Sequence, residues 1–255
     1  MSGSIRRTTD TVPLLKELTT TIIRDALKEI RSKRLNSSGC KEKRFRTTEY
    51  FLVEAQDYVT GVWDTLAVGN VRVSVTISRW ILEAAMNLWW VVSDEDATEQ
   101  RLTELVGEAL RQDANLLDGL GELQPNQAHT LRQRAEEDRQ TRSDLGCTKL
   151  DSLETRMKDI KPPDRPDWPN VYALYRICCA AAHPNLRGWE LFKSVGPAKV
   201  STGSSDNTIL TPDMVTWMAA TSVVYLVLCA YCLTQTGNQD SLTNWWNTKV
   251  IPLLG

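Results

Sequence analysis

Apolar residues recur at three- and four-residue steps along most of the chain, the spacing of one helix face. Leu14, Leu15, Leu18, Ile22, Ala26 and Ile30 make the first such series and predict an amphipathic helix over residues 12–34. Residues 36–46 (NSSGCKEKRFR) are polar, basic and interrupted by glycine, which predicts a loop. A second helix is expected over residues 48–68, stopping at Gly69-Asn70, and a third over residues 71–92. Val and Ile at the start of the third also permit a strand, but its length and the run ILEAAMNLWW favour a helix. Ser93 with Asp94, Glu95 and Asp96 reads as a helix N-terminus with acids in its first turn. The helix that follows is expected over residues 97–117, ended by Gly119 and Gly121, with another beginning at Pro125. Residues 128–142 carry charges of both signs, a solvated helix face on which His129 is an exposed histidine.

Residues 161–169 (KPPDRPDWP) hold four prolines and predict an extended connector. A helix is expected over 170–182, a long mobile loop over 187–211, and a helix start at Thr211-Pro212. Residues 214–233 are apolar nearly all round. A membrane span needs about 20 such residues. Thr216, Thr221, Ser222, Tyr225 and Tyr231 spread along the segment, and no Lys or Arg closely flanks it, so a helix buried at the centre of a bundle is the favoured reading. The fold class expected is all-α, a multi-helix bundle. Residues 1–47 would form an N-terminal helix and basic loop, and residues 48–255 the main bundle domain.

Composition narrows the function classes. The 255 residues carry a formal net charge of -2, so no global basic field points to DNA or RNA. Nine tryptophans against three phenylalanines make Trp the main large aromatic, with Trp189, Trp245 and Trp246 as candidate partner anchors or core residues. Six cysteines show no disulfide framework. Cys229-Ala-Tyr-Cys232 stands alone as a C-x-x-C and reads as core thiols. A reduced cytoplasmic compartment fits, and the first residues lack the apolar run of a signal peptide. The histidine spacing offers no zinc or di-iron motif, so neither metal nor cofactor is expected.

Two polar pairs interrupt apolar helices. Arg79 and Glu83 are four apart and share a helix face amid Ile77, Trp80, Ile81, Leu82 and Met86. A charged pair there should meet a polar partner or a cavity, because an isolated buried charge is costly. It would otherwise be a structural ion pair tying two helices. Arg176 and His183 are seven apart, two turns along one face and about 10 Å of axial rise, with small Cys179 and Ala180 between them. Pro184 follows, which places His183 at a helix end, where negative partial charge favours the imidazolium. In the plainer alternative, His183 caps its own helix and Arg176 meets Asp164 or Asp167 of the connector.

These residues carry two resemblances. Arg79-x-x-x-Glu83, together with a later segment running from Tyr172 to His183, resembles an uncharacterised family of bacterial all-helical domains of unknown function, over roughly residues 48–233. Arg176-x(6)-His183 resembles the Arg-x(4–6)-His motif of the HEPN superfamily, although Ile177 stands where a polar residue is usual. That resemblance implies a metal-independent ribonuclease in bacterial stress or antiviral defence, its site commonly completed across a homodimer. His183 would move protons, Arg176 would stabilise charge on a phosphate, and Glu83 beside Arg79 would orient the imidazole if the third helix packs against the one carrying Arg176. RNA is then the expected substrate, with no sequence reading of DNA. The alternative is a non-catalytic helical interaction or sensor module of a defence or regulatory assembly, and a third is a membrane-attached effector using residues 214–233.

Overall fold

The computed structural model describes residues 8–147, 149–159, 171–182, 210–234 and 239–254. All regular structure among them is helical, and the chain is an all-α, multi-helix bundle. The helices are α1 (Thr8–Leu35), α2 (Gly39–Ala67), α3 (Val71–Val92), α4 (Thr98–Leu123), α5 (Ala128–Asp144), α6 (Leu153–Asp159), α7 (Val171–Ala182), α8 (Pro212–Thr234), α9 (Gln239–Trp245) and α10 (Ile251–Leu254). Packing divides the chain into two compact units, residues 1–89 with 161–255, and residues 90–160.

The larger unit is built around α8. Seventeen of its residues are buried, which its even apolar coating requires, and α1 and α2 pack along it. Three of its polar residues are accommodated within the helix, while the Thr221 hydroxyl is buried without a hydrogen-bond partner among the described residues. Thr216, Ser222 and Thr234 donate to the carbonyls four residues back, at 2.8, 2.7 and 2.6 Å. Thr211 caps the helix by accepting the Met214 N–H at 3.2 Å, with Pro212 in the first turn, as the sequence pattern predicts. Among the described residues α8 is the one helix long and apolar enough to cross a membrane, and 83% of its most apolar window is buried inside the protein.

α1 and α2 lie side by side. Trp63, fully buried, donates its indole N–H to Thr19 Oγ1 at 2.8 Å, and Thr19 in turn donates to the Leu15 carbonyl at 2.7 Å. Arg31 and Arg34 of α1 both hold Glu49 of α2, at 2.7 and 3.0 Å, and Lys16 pairs with Asp64. α2 ends as predicted. Gly69 adopts φ 75°, Gly69 N–H reaches the Leu66 carbonyl and Asn70 N–H the Thr65 carbonyl, the two bonds of a Schellman turn. α3 then returns along α2, joined to it by the 2.8 Å Thr65–Ser74 hydroxyl contact and by an edge-on Tyr58–Trp80 ring pair at 5.2 Å.

Two sequence expectations are corrected. Residues 36–46 are non-helical only over 36–38, and α2 begins at Gly39. The basic stretch is a good helix former once Phe45 is buried and Arg46 pairs with Glu42 one turn back at 2.6 Å. Gly119 and Gly121 do not end α4, which runs on to Leu123. Gly121 is buried, and a Cβ there would make only ordinary contact with the Ala128 backbone at 3.7 Å, so α4 continues through it within the α4–α5 packing.

In the smaller unit α4 and α5 form a helical hairpin across a 3₁₀ turn, Pro125–Gln127, linked by the Arg139–Asp118 ion pair. His129 is exposed and Ala135 is the buried residue of α5, the solvated helix its charges predict. Asp94 Oδ1 accepts from the N–H groups of Asp96 and Ala97 ahead of α4, at 3.1 and 3.4 Å. The guanidiniums of Arg156, buried, and Arg101 lie 4.8 and 5.6 Å from the Trp90 ring. α5 closes in a second Schellman turn at Gly146, φ 63°, which delivers Cys147 onto α4. The thiol donates to the Thr103 carbonyl at 3.3 Å, and a Cβ on buried Gly107 would stand 2.5 Å from both Cys147 Cβ and Sγ.

That contact sets the sign of one prediction. Gly107→Ala would gain about 1 kcal/mol of helix propensity, but the overlap with Cys147 Cβ forces the turn backbone to move, at a cost of about 1–3 kcal/mol. A net loss of stability is expected. Combining it with Cys147→Gly should turn the loss into a gain, and thermal melting of the single and double variants checks both.

Candidate functional site

The buried stripe of α7 is Val171, Leu174, Cys178 and Ala181, spaced by three and four. Arg176 lies opposite that stripe by helix geometry and is exposed. It makes no hydrogen bond or ion pair with the described residues. Tyr175, one position earlier and rotated by about 100°, sits on the flank of α7 that meets α3.

Arg79 and Glu83 occupy the facing part of α3. Their side chains pair at 3.2 Å and are part-buried, 26% and 35% exposed. The guanidinium carbon of Arg79 lies 5.8 Å from the Tyr175 ring centroid. The polar partner expected for this pair is thus a tyrosine of α7. Tyr172 stacks on Tyr175 one turn away, with centroids 6.3 Å apart.

The electrostatics follow from partial burial. Loss of water pulls the Arg79 guanidinium down, but its hydrogen bond with Tyr175 and the charge of Glu83 outweigh that and hold it above its ordinary value. Burial pushes the Tyr175 phenol up to about 12. A hydrogen bond with Cys179 and the charge of Glu83 add to the rise, and the hydrogen bond with Arg79 opposes it. Burial pushes the neighbouring Cys178 thiol up to about 12 as well, so it is a protonated core thiol at neutral pH and no nucleophile. The Arg79 Nε is buried without a hydrogen-bond partner among the described residues.

A raised phenol means that the folded protein prefers neutral Tyr175. The stability this contributes is intact below the ordinary value of about 10 and is lost as pH rises through about 12. Tyr231 behaves alike, pushed up to about 12 by burial and then by Glu29 and Asp25. Melting temperature is therefore expected to fall between pH 10 and 12. Tyr175→Phe should remove part of that slope, while losing about 1 kcal/mol at neutral pH with its hydrogen bonds.

Of the sequence-predicted site residues, Arg79 and Glu83 come together and face α7. Arg176 lies on the outward side of the same helix, with no contact to the pair. His183, the connector 161–169 and the loop 187–209 with Trp189 lie outside the described residues. Trp246 is buried and Trp245 half-buried. Cys229 is buried and Cys232 half-buried, and all six cysteines are free. Tyr175 was not singled out as a site residue from the sequence. Its i, i+4 spacing to Cys179, beside the Arg176 row, is the signal that could have found it. Among the described residues no group of three or more His, Cys, Asp or Glu side chains is placed to hold a metal ion.

No protein-family model, curated protein or solved structure matches this chain. The functional reading therefore rests on its residues and geometry.

Proposed function

We propose that the chain is a HEPN-like, metal-independent ribonuclease acting in bacterial stress or antiviral defence, in the cytoplasm and as a homodimer. The observation that carries this reading is the packing of the Arg79–Glu83 pair against Tyr175, which sets α3 beside the helix bearing Arg176. The sequence motif needs that neighbourhood for Glu83 to act on the following histidine. Arg176 has the exposure a phosphate-binding guanidinium requires.

The chemistry is transesterification. An RNA 2′-hydroxyl loses its proton to His183 and its oxygen bonds to the adjacent phosphorus. The P–O5′ bond breaks, and the 5′-oxygen leaves with the proton that His183 took from the 2′-hydroxyl. The products are a 2′,3′-cyclic phosphate and a 5′-hydroxyl. His183, with a reference value of about 6.5, suits proton transfer near neutrality. Arg176 stabilises the charge gathering on the non-bridging oxygens. Glu83, held by Arg79, is a positioning residue for the imidazole. The test is cleavage of a single-stranded RNA in excess chelator. Undiminished cleavage by the native chain supports the reading, and no cleavage refutes it.

The second reading, a non-catalytic helical interaction module, is favoured by one observation, the exposure of Tyr50 and Val53 on α2 and of Trp80 on α3.

A further inference from the structure

α2 carries four acids and no base over residues 47–67. Two are neutralised from α1, Glu49 by Arg31 and Arg34 and Asp64 by Lys16. The other two, Glu54 and Asp57, are exposed and unpaired among the described residues. They share one helix face with Tyr50 and Val53, since positions 50, 53, 54 and 57 follow the three- and four-residue steps of a single stripe. Tyr50 is 59% exposed and Val53 41%. The row continues through Tyr58 onto α3, where Trp80 stands edge-on to it, itself 45% exposed. Exposed large apolar side chains are ordinary when single. Here two aromatics and a valine adjoin, with two unpaired carboxylates among them. Burial, then Glu54, then Tyr58 raise the Tyr50 phenol, so these groups sense one another. Arg79 on α3 is engaged by Glu83.

We infer that this face, Tyr50, Val53, Glu54, Asp57, Tyr58 and Trp80, is a docking surface for a protein segment that carries Lys or Arg beside an apolar anchor. The charge decides the class of partner. Two unpaired carboxylates repel nucleic-acid phosphates and anionic lipid headgroups, whereas they attract an ammonium or guanidinium. Exposed Tyr50 and Trp80 rings add cation–π acceptors for that same cation and flat apolar area for its neighbour. This surface is independent of the proposed ribonuclease site, and its failure would leave that reading untouched.

The probe is a random library of 16-residue peptides selected on the full chain. Selected peptides are expected to be enriched in Lys or Arg with an adjacent apolar residue. They should bind at least tenfold more weakly to Glu54→Lys/Asp57→Lys and to Trp80→Ala, and equally well to Asp113→Lys in the smaller unit. All these changes are at exposed positions, and a cooperative circular dichroism melt above the assay temperature confirms that each variant is folded. The inference is overturned if no peptide is selected, if the peptides lack basic residues, or if the reversals at 54 and 57 leave binding unchanged. It is overturned equally if the chain sediments as a dimer that Trp80→Ala dissociates, since a second copy would then occupy the face.

Discussion

Trp63→Ala is expected to lower the stability of the chain by about 3–5 kcal/mol. Trp63 is fully buried between α1 and α2 and is the largest such side chain among the described residues. Its loss opens a cavity between two ion-paired helices that close only partly around it. It also strips Thr19 Oγ1 of its donor inside the core. Against a total stability of about 5–15 kcal/mol for a typical protein, that is a large fraction. Trp63→Phe keeps most of the volume and should cost clearly less. Melting followed by circular dichroism ranks the two, and a loss below about 1 kcal/mol for the alanine variant would contradict this packing.

The second large effect is on activity. In the proposed ribonuclease His183→Ala would remove the proton-transfer group, and RNA cleavage is expected to slow by about 10²–10⁴-fold. On the same proposal Arg176→Ala would remove the phosphate-stabilising donor, with an expected loss of about 10²–10³-fold. Arg176 lies opposite the buried stripe of α7 and makes no hydrogen bond or ion pair with the described residues, so its replacement should leave melting unchanged while activity falls. An interaction module would show normal melting and no RNA cleavage in any form. Tenfold in rate is about 1.4 kcal/mol, so a stable variant with hundredfold less activity separates chemistry from folding.

Local signals carried much of the architecture. Gly69-Asn70 stopped α2 because only glycine takes the left-handed turn without strain, and Thr211-Pro212 started α8 by cap chemistry. The even apolar coating of α8 corresponds to its burial on all sides. What local signals did not carry were decisions taken by tertiary contacts. Gly121 reads as a helix end in isolation, yet here it is buried inside α4, which continues to Leu123. The basic run after residue 38 reads as a loop, yet burial of Phe45 keeps it helical. The same limit applies to the candidate site. The spacing of Arg79 and Glu83 was visible as a shared face, and the pair forms. That Tyr175 rather than Arg176 would meet it depends on how α7 rolls against α3, which the buried stripe 171, 174, 178 and 181 determines and which only the packed partner helix makes readable.

The most direct measurement of the ribonuclease proposal is end-group analysis of a defined single-stranded RNA incubated with the native chain and with His183→Ala in excess chelator. The proposal predicts 2′,3′-cyclic phosphate and 5′-hydroxyl ends from the native chain and their near absence from the variant. Intact RNA with the native chain, 3′-hydroxyl and 5′-phosphate ends, or equal cleavage by the variant would contradict it.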